Sequence, residues 1–455
     1  KVPSCESGKV EGPRNLSGDH FGNLCPETPE GKQSGLAKPT ALSAVVTMES
    51  DPVPIKALIR RRLDENPEKF PEAYSWTVIF VNGDLVGYTK FPKRITNWLI
   101  SLRRGGKIDL FVSIAYNSLM GEIVLLTDSG RVARPLLVVE KGRLVFQKEH
   151  IGLGWPDLLR LGVVEYLDVS EQDRVSLIAG YPSELTDPAT KDLPYSHCEI
   201  HPSLMYGAGI STVPKPDHNQ APRNVYQAQM GRQAIGASFS NFRTKYNGSH
   251  CVLHYPEKPL VTTRLAEQIG LSSYPNGYNV IAAIMCSPYN EEDGIEMSQS
   301  SIDLGLFRDT RICNYELRVK PEKKEVFGCP IFEPKEDGTI EPVTKKGNFR
   351  HINQYGYAEI NSIVEKGDVI LSKLTAEGGE EVEVYKEPLP GRVDSVFPGI
   401  DGDGYQFFRI QIHEVRTPVV GDKFAARHAQ KGVIGRVTPT VDLPWSGMSG
   451  LRPDV

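Results

Sequence analysis

Two basic, acid-poor stretches lie nearly 200 residues apart in this chain, and any fold it adopts must accommodate both. The first runs from Glu199 to Gly236, EIHPSLMYGAGISTVPKPDHNQAPRNVYQAQMGRQAIG. The second runs from Val420 to Gly435, VGDKFAARHAQKGVIG. Between Lys215 and Lys245, five basic residues (Lys215, Arg223, Arg232, Arg243, Lys245) meet one acid, Asp217. Between Val419 and Val437, Lys423, Arg427, Lys431 and Arg436 meet Asp422. The formal net charge is −5, so composition alone does not point to a nucleic-acid binder. Local basic stripes in an acidic whole suggest a lined channel rather than a generally sticky surface.

At 455 residues the chain is too long for one hydrophobic core, and roughly two to four modules are expected. No apolar run approaches the ~18 residues needed to span a bilayer, so no membrane association is expected. The opening KVPSCESGKVEG has no apolar stretch after its basic residue and does not read as a signal peptide. The cysteines (Cys5, Cys25, Cys198, Cys251, Cys286, Cys313 and Cys329) form no CxxC. An odd, scattered set suits a reducing, intracellular compartment.

The first 45 residues are rich in Gly and Pro, hold CPETPEG at 25–31, and read as loop. Ile55, Leu58, Ile59 and Leu63 give a short helical stripe. TVIFVNGDLVGYT at 77–89 reads as a hairpin turning at Asn82-Gly83. Ile95, Trp98, Leu99 and Leu102 mark a helix stopped by Gly105-Gly106. Strands are expected at 109–115, 122–127, 131–139 and 143–147, making 53–147 a small α+β module. A short helix and a strand follow at 155–168. NVIAAIMC at 279–286 reads as a buried strand from its continuous apolar run. Ser298 or Ser300 is placed to cap the next helix. Residues 311–418 read as strand-rich.

Three clusters carry candidate chemistry. Gln220, Arg223, Tyr226, Gln229, Arg232 and Gln233 share a face in part if 222–233 is helical. A guanidinium can grip a triphosphate bidentately, and amides can bond sugar hydroxyls or phosphates. The same pattern also describes a solvated polar helix face. Lys423, Arg427 and Lys431, spaced four apart between Gly421 and Gly432, converge whether they lie on a helical turn or in a loop. They suit phosphate contacts, or form a basic surface stripe. Glu292 and Asp293 offer hard oxygen ligands for a divalent cation, or form a solvated turn. Two further patterns are weaker. His197, Cys198 and His201 could be zinc ligands, but Pro202 follows at once and no CxxC assists. Asp401-Gly402-Asp403-Gly404 looks like the start of a calcium loop, lacks the remaining ligands, and reads as a hairpin turn.

The motifs EIHPS, PDHNQAPRN, MGRQAIG, YNEEDGIEMSQSSID and GDKFAARHAQKGVIG, in that order, resemble the second-largest subunit of multisubunit, DNA-dependent RNA polymerases. The likeness covers essentially the whole chain. It implies a mixed α+β, multidomain fold. Residues 1–50 would be the fork region, 51–148 and 149–195 the two external domains, and 311–418 a β-rich wall or flap. Residues 196–310 and 419–455 would be the two parts of a chain-discontinuous hybrid-binding domain containing a double-psi β-barrel. The resemblance implies template-directed RNA synthesis by nucleotidyl transfer, carried out jointly with the largest subunit.

By the same resemblance, Arg223, Lys423 and Lys431 are the residues expected at the catalytic centre, with Arg223 on the incoming triphosphate. Gln220, Gln233, Lys423 and Lys431 would contact the nucleotide or the RNA 3′ end. Glu292 and Asp293 would lie near a second, nucleotide-borne Mg²⁺, the catalytic ion being held mainly by the largest subunit. Arg14 would sit in the fork near downstream DNA. Implied partners are the largest subunit, smaller subunits, template DNA, nascent RNA and nucleoside triphosphates. The location would be intracellular: the nucleus for a cellular eukaryotic protein, the cytoplasm or virion for a viral one. The chain also looks like a piece of a longer subunit, whose zinc-bearing segment would follow the last residue here, with no zinc in this segment. Several details depart from the family pattern. CPETPEG is one residue short, the acidic motif reads EEDG, and Arg232 stands where Lys is common. The style is eukaryotic, archaeal or large-DNA-virus, and the departures lean viral. A non-catalytic paralogue serving as an assembly platform is the alternative. It would be expected to have lost the charges at Arg223, Glu292, Asp293, Lys423 and Lys431.

Overall fold

The computed structural model describes residues 10–63, 76–174, 177–237, 239–246, 248–329, 332–334, 340–342, 347–375 and 380–455. Cys5 and most of the opening segment lie outside the described residues. The chain divides into two compact units, Lys1–Gly231 and Arg232–Val455. No described helix is long and apolar enough to cross a membrane.

The first unit begins with loop, short 3-10 turns and the strand β1 (Val45–Val46). Helix α1 (Pro52–Arg62) starts where the Asp51 carboxylate accepts from the Val53 N–H at 2.9 Å. Its prolines lie in the first turn, where missing N–H groups cost nothing. Strands β2 (Thr77–Val81) and β3 (Asp84–Thr89) form the expected hairpin. Asn82 and Gly83 both have positive φ (51° and 84°), as a two-residue turn matched to strand twist requires. Helix α2 (Pro92–Arg104) stops at Gly105-Gly106, with Gly106 left-handed at φ 68°. Strands β4 (Ser113–Asn117) and β5 (Glu122–Leu126) complete a sheet of order β3-β2-β5-β4. Ile55, Ile59, Ile79, Leu99, Ile123 and Leu125 pack the helices onto it.

Strand β6 (Val132–Glu140) departs from the module expected over 53–147, because it centres a second sheet. It pairs with β1, with β7 (Arg143–Leu144), with β8 (Val164–Asp168), and with β10 (His197–Cys198). Helix α3 (Trp155–Arg160) precedes β8, α4 (Val169–Gln172) follows it, and β9 (Ile178–Ala179) runs parallel to β10. A buried ionic network joins α2 to these elements. Arg103 grips Glu171 with two 2.7 Å bonds and reaches Glu165 at 3.2 Å. Arg104 and His197 also bind Glu165, at 2.7 and 2.5 Å. Burial pushes the Glu165 carboxyl up, but His197, Arg103 and Arg104 outweigh it and hold it well below the ordinary range. Burial wins at Glu171, whose carboxyl is raised despite Arg103. The unit ends with α5 (Ala208–Ser211) and α6 (Ala221–Gly231).

The second unit contains β11 (His250–Leu253), α7 (Arg264–Gln268), β12 (Gly294–Ser298) and α8 (Gln299–Asp303). Ser298 caps α8, as its sequence position suggests. The strand-rich region bears out its reading. Strands β13 (Asp309–Arg318), β14 (Val326–Phe327), β15 (Phe332–Pro334), β16 (Ile340–Pro342), β17 (Ile363–Val364), β18 (Val369–Leu374) and β19 (Glu380–Val384) lead to the long pair β20 (Gly391–Ile400) and β21 (Gln406–Arg416). A five-stranded sheet has the order β11-β13-β21-β20-β17. The 401–404 segment is the β20–β21 turn, where Asp401 accepts from the Asp403 and Tyr405 N–H groups and pairs with Arg318 at 3.1 Å. That carboxylate is already engaged, which removes the calcium-loop resemblance. Strands β22 (Lys423–Ala425) and β23 (Lys431–Thr438) close a three-stranded sheet of order β12-β23-β22, with Met297, Ile302 and Ile434 beneath.

Residues 279–286 are not a buried strand. They have no regular structure, and Ile281, Ile284 and Met285 are exposed. Their cross-chain backbone bonds go to the last two residues, through Asp454 N to Ile281 O and Ala283 N to Val455 O. An apolar run signals a tendency to be covered, but it does not supply the neighbouring strands that make a sheet.

Replacing Glu165 with Gln should lower the stability of the first unit by about 1–3 kcal/mol, because Arg103, Arg104 and His197 lose a shared carboxylate while Arg103 keeps Glu171. Urea unfolding of the full chain checks this. The Glu165 contribution is present above the ordinary carboxyl value of 4.5 and lost as pH falls below it toward the depressed folded value. Glu171 acts with opposite sign, since a raised carboxyl is a cost that fades on acidification. The Gln variant should therefore lose less stability than the parent on going to low pH.

Candidate functional site

Helix α6 presents Arg223 and Tyr226 on its exposed side, with the Arg223 guanidinium 6.0 Å from the Tyr226 ring centre. Gln220 lies one residue before the helix and is also exposed. Its carbonyl accepts from the Arg223 N–H at 2.9 Å. The opposite side is fixed by Asn224, which donates to the Pro216 carbonyl at 2.7 Å and accepts from Asn219 at 3.0 Å. The helix ends at Gly231, so Gln233 is not part of its face, contrary to a helix over 222–233. Gly231 and the turn after it end the periodicity there.

Sequence reasoning missed what lies beneath α6. Cys25, Ile210 and Ala228 form a small core, with Cys25 coming from the CPETPEG loop. The Gly207 N–H donates to Cys25 Sγ at 2.8 Å, and the Glu27 carboxylate is buried close by. A Cβ at Gly209 would sit 3.1 Å from both Glu27 oxygens and 3.2 Å from the Ala228 Cβ. The CPETPEG loop thus sets the seat of the arginine-bearing helix. The signal was available as the two glycines in MYGAGIS, Gly207 and Gly209, but nothing in the sequence pairs them with Cys25. Arg14 is half-buried and donates to the carbonyls of Lys32 and Ser34 at 3.0 and 2.6 Å, so part of its guanidinium organises that loop.

In the second unit, Lys423 and Lys431 lie on neither a helical turn nor a loop. They open the two strands of the β22–β23 hairpin. Lys423 pairs with Val433, and Ala425 with Lys431. Period-two alternation then puts both lysines on one face as diagonal neighbours. Both are exposed, and neither ammonium is paired with an acid among the described residues. Asp422, the acid next to Lys423, is engaged by the Val419 N–H at 3.0 Å and by Arg416 at 3.9 Å. Arg427 lies in the hairpin loop, where partial burial lowers its affinity for a proton.

The acidic pair is bound to the same hairpin. Strand β12 runs parallel to β23, with Gly294 opposite Val433. The Val433 N–H donates to the Asp293 carbonyl at 2.9 Å. A Cβ at Gly432 would meet that carbonyl oxygen at 2.8 Å, so the backbones approach this closely only with glycine there. Glu292 adopts a left-handed φ of 53°, and both carboxylates are exposed. Among the described residues no group of three His, Cys, Asp or Glu could hold a metal ion. Two neighbouring carboxylates with outward access fit Mg²⁺, which takes one or two protein carboxylates and fills its shell with water and phosphate.

Among the described residues, the candidate zinc ligands do not come together as a group that could hold a metal ion. His197 is committed to Glu165 and Ser196, His201 to Ser203. Cys198 is buried, which pushes its thiol up to about 11, and the thiolate is the form that binds zinc.

Comparison with known proteins gives four consecutive matches. The family description RNA polymerase Rpb2, domain 6 matches residues 210–455. Rpb2 domains 3, 4 and 5 match 3–46, 79–140 and 155–202. The chain is 35% identical over 491 residues to DNA-directed RNA polymerase II subunit 2 of Arabidopsis thaliana, covering 100% of this chain and 40% of that protein. It is 37% identical to RNA polymerase II subunit RPB2 of Encephalitozoon cuniculi, covering 100% and 42%. It is 33% identical to the archaeal subunit Rpo2 of Saccharolobus shibatae, covering 97% and 41%. The chain thus spans about two fifths of the length of these relatives.

Gly432→Ala should destabilise the second unit by about 1–3 kcal/mol, since the added methyl must push β23 from β12. Urea unfolding of the full chain reads this. An unchanged midpoint would mean the two backbones are not held at this spacing.

Proposed function

Because the chain belongs to the RNA polymerase Rpb2 family of second-largest subunits, we propose that it serves DNA-directed RNA synthesis as part of a multisubunit enzyme. The observation that carries this reading is the pair of unneutralised lysines on one hairpin face, backbone-bonded to the strand that the Glu292–Asp293 carboxylates precede.

In this proposal Arg223 grips the incoming triphosphate, and its forked donors match phosphate oxygens. Gln220 and Gln233 bond the nucleotide or the RNA end. Lys423 and Lys431 hold the RNA 3′ end and nucleotide phosphates, positioning them for in-line attack. Glu292 and Asp293 supply oxygen ligands to a nucleotide-borne Mg²⁺, which would neutralise charge on the departing pyrophosphate. Arg14 contributes to the DNA side of the fork. Template DNA, nascent RNA, the largest subunit and smaller subunits are the partners, in an intracellular setting. Residues 196–310 and 419–455 would share a hybrid-binding domain with a double-psi β-barrel, a reading supported by the parallel β12–β23 pairing between sequence-distant strands. The remaining boundaries (fork 1–50, external domains 51–148 and 149–195, wall 311–418) and a zinc-bearing segment in the longer protein belong to the same proposal.

Arg223→Ala and, separately, Lys431→Ala are to be placed in the full-length subunit assembled with its largest partner. Single-nucleotide extension is then followed against nucleotide concentration. Each variant should lose about 10²-fold or more in kcat/KM, as expected for removing a charged transition-state contact, with assembly intact. Unchanged extension would favour the assembly-platform alternative.

A further inference from the structure

The turn that carries Glu291, Glu292 and Asp293 is tied at both ends. At its start, the Asn290 side chain accepts from the Ser287 N–H at 2.9 Å and donates to the Met285 carbonyl at 2.7 Å. At its end, the Gly294 N–H donates to the Glu291 carbonyl at 2.9 Å, and the Val433 N–H of β23 holds the Asp293 carbonyl. Between these ties, the Arg436 guanidinium lies 4.8 Å from the centre of the Tyr289 ring. The Tyr289 backbone also comes against β23, since a Cβ on Gly435 would meet its carbonyl oxygen at 2.5 Å. Arg436 reaches the ring because β23 is irregular there. Ile434 stands opposite Ile295 and Arg436 opposite Glu296, which leaves Gly435 as an extra residue. An extra residue shifts the alternation of a strand and re-aims the side chain that follows. Ile434 and Val437, three apart, accordingly share one core, and Arg436 stands half-buried on the other side. Glu296, the acid opposite, is occupied by the Ser287 and Thr438 hydroxyls, the latter at 2.8 Å, and no acid pairs with Arg436 among the described residues.

A ring face attracts a guanidinium electrostatically, and the attraction grows as the pair is withdrawn from water. Here it joins the middle of the acidic turn to a strand whose register is set by the Val433–Asp293 bond. The turn needs such help. Glu292 holds a left-handed φ of 53°, which a Cβ disfavours, and adjacent carboxylates repel each other. We infer that Arg436 and Tyr289 are positioning residues for the Glu292–Asp293 pair, strapping its turn to β23 in the conformation that presents both carboxylates outward. In this role Arg436 touches no substrate and acts through Tyr289. The inference rests on the proposed use of those carboxylates toward a nucleotide-borne Mg²⁺, and adds the contact that keeps them ready. A turn less often in its competent form weakens the apparent hold on the ion in proportion, and leaves the reaction of the bound complex unchanged.

The test uses the full-length subunit assembled with its largest partner. Amide hydrogen exchange over 285–294 is followed without metal or nucleotide, with strand β21 as the folding control. Single-nucleotide extension is then followed against Mg²⁺ concentration. Arg436→Gln and Tyr289→Leu should each speed exchange over 285–294 by about threefold, and raise the half-saturating Mg²⁺ concentration by a similar factor, the scale of one half-exposed cation–π contact. Extension at saturating Mg²⁺ should stay within about twofold of the parent, because the bound complex is the same. The double variant should be no worse than either single one, since both remove one contact. Arg436→Lys and Tyr289→Phe each keep a cation and a ring, and should restore both readouts. Unchanged exchange over 285–294 in both single variants overturns the inference. Additive effects in the double variant, or no recovery with Lys and Phe, also overturn it. So does slower extension at saturating Mg²⁺ with unchanged exchange in Arg436→Gln, which would put Arg436 on the substrate. Failure of the polymerase reading shows separately, as extension indifferent to Arg223→Ala and Asp293→Asn, whereas the exchange measurement involves no nucleotide.

Discussion

A parallel pairing between strands distant in sequence holds the candidate site of the second unit. Strand β12 begins immediately after Glu292-Asp293, and β23 begins with Lys431. Their hydrogen bonds fix the acids and the lysines to one framework, and Gly432 lets the two backbones come together. Parallel strands cannot be joined by a tight turn, so the intervening chain must cross over. Here that chain is long enough to contain the entire β13–β21 region.

The first unit solves its assembly problem with charge. Arg103 is buried, as are Glu165, Glu171 and His197. Hydrophobic packing alone would be less costly to desolvate, but it would tolerate several relative placements of α2, β8 and β10. Bidentate bonds to two carboxylates from different elements accept one placement. The cost of desolvation is visible in the opposed behaviour of the two acids. Three partners at Glu165 overcome burial, and Arg103 alone does not do so at Glu171.

Local features were legible wherever one residue type answers one backbone need. Asn82-Gly83, Gly105-Gly106, Ser298 and the 401–404 turn all took the predicted form, because left-handed φ values and helix caps have few solutions. The charged candidates were likewise legible as residues, since unbalanced cations stand out against a net-negative chain. Their arrangement was not. A spacing of four suits a helix, and only the pairing of Lys423 with Val433 reveals a hairpin that aligns 423 and 431 by alternation. Gln233 fell off the α6 face because the helix stops at Gly231, two residues sooner than its polar pattern. The apolar 279–286 run misled because hydrophobicity reports preference for cover and carries no information on strand partners. The contact of Cys25 and Glu27 with the α5–α6 region is tertiary, and no local pattern encodes it.

The left-handed backbone at Glu292 sets a conflict for anyone seeking a sturdier version of this protein. A residue with a Cβ in that region is strained by about 1 kcal/mol or more, and Gly would relieve it. Selection for heat resistance alone should therefore favour replacing this glutamate, and would erase one of the two adjacent carboxylates in doing so. Libraries screened only for folding should drift away from an acid here, whereas libraries screened also for RNA synthesis should retain it. The φ angle of a single residue thus marks where durability and chemistry make opposing demands on the chain.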